Sequence, residues 1–247
     1  MDQSAVAAAS GLHSRIETLD LLANNLANSS TAGFKLDREF YSLFSSEDEG
    51  DVAGPSQLPF VNGQWTDFTQ GTLTSTGNPL DVALTGQGFF VVKGSSGPLY
   101  TRNGSFRISS NGTLVTAEGY TVQDTQGDPI QTQSQNPVDI SDDGTVNQDG
   151  QTLGQLQIVD FKDRRALSKQ GGTYFVNTQP EAAPPIPSDA TVSQGRLEES
   201  NVVAAESAVR LVGVMRQFEM LQKAVLITSD MNKQAITEVA RVGGGAA

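Results

Sequence analysis

The sequence predicts an α+β chain: an N-terminal and a C-terminal helix paired in a coiled-coil-like segment, with a central all-β domain of short antiparallel strands between them. Apolar residues recur at helical spacing at both chain ends. Through the middle they alternate with period two, and Asn-Gly and Asp-Gly pairs punctuate that stretch. The expected boundaries are 1–36 for the N-terminal helix and its turn, 37–79 for an extended connector and 80–185 for the β domain. A return connector follows over 186–199, and the long helix over 200–247.

The last helix, about Ser200 to Arg241, organises the rest. Positions 208, 211, 215, 218, 222, 225, 229, 232, 236 and 239 step alternately by three and four. Ala208, Leu211, Met215, Phe218, Val225, Ile236 and Val239 make an apolar stripe of them, and Leu221, Leu226, Ile227 and Met231 widen it. Gln222, Ser229 and Asn232 interrupt it. At about 1.5 Å per residue such a helix spans roughly 60 Å, more than the width of a small domain. It needs partners along its whole length.

One partner stands at the other end. Leu12, Ile16, Leu19, Ala23 and Leu26 repeat the spacing beside Leu22, with no Pro between Met1 and Ser30. A first helix from about Ser4 to Ala27 covers only part of the longer one, and that length favours a segment that packs against copies of itself over an ordinary antiparallel helix pair capping a globular domain. The helix ends at Asn28-Ser29-Ser30-Thr31-Ala32-Gly33, where Asn and Ser compete for the backbone and Gly33 suits a left-handed turn.

Phe34, Leu36, Phe40, Tyr41, Leu43 and Phe44 then form a compact aromatic segment, and Glu47-Asp48-Glu49-Gly50-Asp51 reads as a solvated acidic loop. Positions 45–80 are rich in Ser, Gly, Thr, Asp and Pro, with Phe60, Trp65 and Phe68 as anchors. From Leu80 the period is two. Strands are expected at 80–84, 89–92, 99–102, 105–108, 113–116, 120–123, 138–140, 145–147 and 153–161. Asn103-Gly104, Asn111-Gly112, Asp143-Gly144 and Asp149-Gly150 supply tight hairpin turns. Gln179 to Pro187, with four prolines, is a stiff exit.

Composition excludes several functions. The 247 residues carry a formal charge of −12, against nucleic acid or an anionic membrane as partner. Without Cys there is no disulfide, thiolate zinc site or cysteine nucleophile. The N-terminus lacks the basic start and apolar core of a cleaved signal, and no run of eighteen apolar residues could span a membrane. His13, the one histidine, is a surface or packing residue. Gly86-Gln87-Gly88 is a turn and not a dinucleotide fingerprint, since Val91 stands at the third glycine position. Asn147-Gln148-Asp149-Gly150 lacks the flanking carboxylates of a calcium loop, with Thr145 and Leu156 at the end positions. Asp142-Asp143 and Glu198-Glu199 are adjacent pairs that face apart. No catalytic residue, metal site, cofactor or small-molecule substrate is expected.

Three blocks carry a family resemblance. Ala23-Asn24-Asn25-Leu26-Ala27-Asn28 with Thr31-Ala32-Gly33-Phe34-Lys35 resembles the N-terminal motif of the bacterial flagellar rod and hook axial proteins. Leu80 to Leu84, Gly86-Gln87-Gly88-Phe89-Phe90 and Tyr100-Thr101-Arg102-Asn103-Gly104-Ser105-Phe106 resemble the opening of that family's β domain. Gly195-Arg196-Leu197-Glu198-Glu199-Ser200-Asn201-Val202 and Arg216-Gln217-Phe218-Glu219-Met220 resemble its C-terminal motif. Within the family the similarity is nearest to the rod subunits, the proximal type ahead of the distal, given the short chain, the Met1-Asp2 start and the ending Met231 to Arg241. Ser29-Ser30 departs from the Asn or Val-Asn pair of many relatives.

The resemblance implies a structural axial subunit of the basal-body rod, in the periplasm, that leaves the cell uncleaved through the flagellar type III export apparatus. It implies helical assembly with copies of itself and other rod and hook subunits, transmitting torque from motor to hook. The packing residues would be Leu12, Ile16, Leu19, Ala23, Leu26, Ala208, Leu211, Met215, Phe218, Val225, Ile236 and Val239. Of the motif residues Asn24, Asn25, Leu26, Asn28, Gly33 and Phe34, the three asparagines are read as amides that cap the helix and bond a neighbouring subunit. Helices that bury their faces mainly against neighbours should be trimmed by protease in the free monomer, sparing roughly 80–180. A reading of another class, a secreted β-rich ligand-binding module with a helical oligomerisation stalk, would require exposed aromatics clustered on one sheet face.

Overall fold

Apolar spacing at the chain ends produces two helices in this computed structural model, which describes residues 3–45, 57–133 and 136–243. Helix α1 spans Gln3–Ala27 and α2 spans Ala204–Gly243. Glu206 in the first turn of α2 suits the positive end of its dipole. The chain divides into two units: a helical one of residues 1–27, 37–66 and 203–247, and a β unit of 28–36 and 67–202.

In the helical unit α1 lies against α2 and against an antiparallel hairpin of β1 (Asp37–Ser45) and β2 (Gln57–Thr66). The pairing runs from Asp37 opposite Thr66 to Ser45 opposite Gln57, with a bulge between Phe40 and Tyr41. An extended connector was expected over 37–79, so the hairpin is a correction. The physical reason is the density of aromatic and β-branched residues at 40, 41, 44, 60, 61 and 65, which suit a pleated surface despite the polar residues around them. The acidic run 47–51 lies outside the described residues.

The β unit contains β3 (Leu73–Ser75), β4 (Val82–Thr85), β5 (Phe89–Gly94), β6 (Gly97–Thr101), β7 (Phe106–Ile108), β8 (Leu114–Thr116) and β9 (Thr121–Val122). It continues with β10 (Asp139–Ile140), β11 (Thr145–Gln148), β12 (Gln151–Gln155), β13 (Ile158–Asp160), β14 (Leu167–Lys169) and β15 (Tyr174–Asn177). The last are β16 (Ile186–Pro187), β17 (Thr191–Gln194) and β18 (Arg196–Glu198). The main sheet runs β14-β15-β6-β5-β9-β8-β7, with β13 joining β5 to β16, and its strand pairings among the described residues are antiparallel.

Strand β5 lies at its centre. Phe90 and Val92 enter one core with Val82, Leu84, Phe106 and Val122, while Phe89 and Val91 enter a second with Tyr100, Phe161 and Phe175. Alternate residues point to opposite faces, so a strand buried on both reads as the unbroken run Phe89-Phe90-Val91-Val92. Phe68 closes the second core edge-on to Phe175, ring centroids 5.1 Å apart.

Three further expectations change. Residues 186–199, expected as a connector, return as strands: β17 pairs with β4 and β18 with β3. The expected strand 153–161 is two, β12 and β13, in different sheets. Asp149 and Gly150 do have the positive φ values of a tight hairpin turn, 53° and 76°, but Asn103-Gly104 does not join neighbouring strands. Gly104 is there for close approach, because a Cβ would sit 1.7 Å from the Val82 carbonyl oxygen.

Candidate assembly surface

Within the helical unit, α1 buries Ser14, Thr18, Leu21, Leu22 and Asn25. The hydroxyl of Thr18 donates to the Ser14 carbonyl at 2.9 Å, so the polar part of this face satisfies itself. The face is small in section: a Cβ on Gly11 would lie 3.8 Å from Leu221 Cδ1. The residues singled out in the sequence sit beside it. Leu12, Leu19 and Leu26 are half-buried, Ala23 is exposed and Ile16 is 44% exposed.

On α2 the half-buried row is Ala208, Leu211, Val214, Phe218, Leu221, Val225 and Thr228. Four of the expected residues lie in it, and Met215 is 48% exposed. The side chains of Ile236 and Val239 lie outside the described residues. Helical spacing alone could not choose between Val214 and Met215, because α2 is apolar on more than one face. Val209, Val212, Met220, Leu226, Ile227 and Met231 are all exposed. At about 100° per residue these fall on the side away from the half-buried row.

The two helices run antiparallel. Near the start of β1, Asn25 at the end of α1 holds Asp37, and Arg210 near the start of α2 lies 3.7 Å from Glu39. With Gly11 opposite Leu221, Gln3 comes opposite about residue 229, and α2 continues to Gly243, roughly 20 Å further.

The motif asparagines are used differently from one another. Asn25 is fully buried: its Oδ1 accepts the Asp37 N–H at 3.0 Å and its Nδ2 donates to the Asp37 carbonyl at 2.8 Å. The expectation that Asn25 bonds a neighbouring subunit is corrected, since its amide is taken up within the chain. Asn24 is exposed. In the β unit, the Asn28 carbonyl accepts the Thr31 N–H at 3.1 Å and its Oδ1 accepts the Thr31 hydroxyl at 3.2 Å, which closes a turn.

The remaining motif residues meet inside the β unit. Gly33 has φ 70°, donates its N–H to the Glu198 carbonyl at 2.7 Å, and passes so near Asn103 that a Cβ would lie 2.3 Å from that nitrogen. Phe34 is buried with the Lys169 ammonium 4.0 Å from its ring centroid, a cation–π contact. Next to it lies a group that sequence reasoning missed. Lys35, Arg102 and Glu198 are 0%, 4% and 1% exposed. Lys35 Nζ pairs with Glu198 Oε1 and donates to the Thr69 carbonyl at 2.7 Å. Arg102 Nε lies 3.1 Å from Glu198 Oε2 at an angle outside hydrogen-bond geometry, so charge holds that contact. The Arg102 guanidinium also donates to the carbonyls of Gly88 and Gly86, at 2.9 and 2.7 Å. Burial pushes Lys35 and Arg102 below their ordinary pKa values, and the Glu198 charge opposes it.

Asn201 completes this region: its Oδ1 accepts the Leu36 N–H at 2.7 Å and its Nδ2 donates to the Asp67 carbonyl at 2.8 Å. The aromatics that a ligand-binding sheet face would expose are used elsewhere. Tyr100 and Phe106 are buried, and Tyr120 packs edge-on against Tyr174. Among the described residues no group of three or more His, Asp or Glu is placed to hold a metal, and no helix is long and apolar enough to cross a membrane.

Three family models match the chain: "Flagella basal body rod protein" over residues 7–35, "Flagellar hook protein FlgE/F/G D1 domain" over 83–148, and "Flagellar basal body rod FlgEFG protein C-terminal" over 193–238. Lys35, Arg102 and Glu198 fall one in each. The chain is 33% identical over 227 residues to flagellar basal-body rod protein FlgF of Caulobacter vibrioides, covering 91% of this chain and 92% of that one. It is 31% identical to FlgF of Mesorhizobium japonicum, over 88% and 90% of the two chains. To flagellar basal-body rod protein FlgG of Borreliella burgdorferi it is 34% identical, over 91% and 94%.

Proposed function

The chain belongs to the flagellar basal-body rod protein family, and from that premise we propose that it is an axial subunit of the rod that assembles through its terminal helices. It is structural and not an enzyme, as its family is. Its partners are copies of itself and other rod and hook subunits, and its place is the basal body. The observation that carries the assembly mechanism is α2, with one row turned to α1 and a second apolar set, Val209, Val212, Met220, Leu226, Ile227 and Met231, left exposed. Neighbouring subunits cover that second set and the roughly 20 Å of α2 beyond the reach of α1, in coiled-coil-like contacts that repeat head to tail without closing.

The proximal type is taken ahead of the distal on the motif Met231 to Arg241, which resembles that of the proximal subunits more nearly. Export proceeds through the flagellar type III apparatus without cleavage, and the intact N-terminal mass of rod-associated protein is the check on that step. The central test is complementation of a strain lacking the chain, with wild type or with Leu211→Asp plus Phe218→Asp. Two carboxylates in the half-buried row are strongly unfavourable there. Rod completion and swimming restored by wild type alone is the expected result. A deletion strain that swims normally overturns the assignment.

A further inference from the structure

We propose that Lys35, Arg102 and Glu198 form a latch that fixes the three chain passages of the β unit against one another. Each residue stands on, or anchors, a different stretch. Lys35 lies in the 33–36 passage, where the chain enters the unit, and Glu198 on β18, where it leaves. Arg102 is tied to the body of the unit through the Gly86 and Gly88 carbonyls. The third passage, 69–71, is gripped by the same side chains: Glu198 Oε1 accepts the Gly71 N–H at 2.9 Å, and Lys35 Nζ donates to the Thr69 carbonyl.

Stability alone is a poor reason for such a group. Desolvating buried charges offsets most of their attraction, and apolar triads of similar volume often hold a core as well or better. An apolar triad, however, cannot bond Gly71 N–H or Thr69 C=O. What the charges contribute is alignment, because three backbone segments far apart in sequence share one set of buried partners. Loss of Glu198 leaves two cations in a site shut off from water, and the passages then part to hydrate them. The two cores around Phe90 and Phe89 do not depend on that contact, so opening is local. The latch is independent of the rod assignment.

Hydrogen exchange on the full-length protein tests it, with wild type, Glu198→Gln, and the triple variant Lys35→Met/Arg102→Met/Glu198→Leu. The amides to follow are Gly33, Leu36, Gly71 and Glu199, each of which bonds into this region. Both variants should exchange there at least about ten-fold faster, while the amides of the β5–β6 ladder stay within about two-fold of wild type. Wild-type rates at the four amides, or equal acceleration everywhere, overturn the latch. If Glu198→Gln does not fold, the triple variant, which buries no charge, decides by the same criterion.

Discussion

Asn25 grips Asp37 by both ends of its amide, accepting that residue's N–H and donating to its carbonyl, and so stands in for a strand partner where β1 begins. A buried polar backbone stripped of such a partner loses about 1–3 kcal/mol. Asn25→Ala should therefore speed exchange at the Asp37 amide about ten-fold or more and lower the melting temperature of the helical unit. Unchanged exchange would show that another group satisfies Asp37.

Among the described residues no group covers the exposed apolar set on α2. Met220→Glu with Ile227→Glu should leave the isolated protein within about 0.5 kcal/mol of wild type, as surface changes usually do. The same double variant should abolish swimming in soft agar. A stable, purified variant that still supports full motility would remove this face from the assembly.

Gly33 combines a left-handed backbone with contact against Asn103. Gly33→Ala adds conformational strain and a clash, together about 3 kcal/mol. A urea midpoint that shifts by that equivalent is expected. A wild-type midpoint would mean that the turn moves away from Asn103 at little cost.

Alkaline pH should weaken the β unit through its tyrosines. Burial, and then donation to Glu118, raise the Tyr174 pKa above its ordinary value, and burial does the same for Tyr100. The folded chain keeps protons that the unfolded chain releases above about pH 10, so this stability is complete below pH 10 and falls as pH rises beyond it. Lys35 acts in the opposite sense, since its lowered pKa makes the folded chain release a proton first, and stability from that group rises up to about pH 10.5. Tyr174→Phe should flatten the fall in melting temperature between about pH 10 and 11. An unaltered slope would assign the fall to other groups.

Much of the fold is legible in the sequence. Helical spacing marks both ends, and period-two runs with Gly turns mark the strands near 80–123 and 138–148. The hairpin at 37–66 was hidden because its strands flank a polar acidic segment, and β17 and β18 because they are short and polar and pair with strands about a hundred residues earlier. On α2 the trouble was excess of signal: with apolar residues on two sides, spacing cannot show which side one subunit buries. Lys35, Arg102 and Glu198 look like surface charges when read singly. Their one signal in the sequence is that each stands inside a family motif, among residues otherwise suited to turns or cores.

Strands β3 and β4 wait for β18 and β17, and their partners lie about a hundred residues downstream. A ribosome adds about 5–20 residues per second, so that wait lasts roughly 5 to 20 s. Through this interval β3 and β4 lack their ladder partners, and Lys35 and Arg102 have no carboxylate between them. This edge of the β unit is thus timed by its own topology, and in a chain that emerges N-terminus first it closes only when nearly all of the unit has been made.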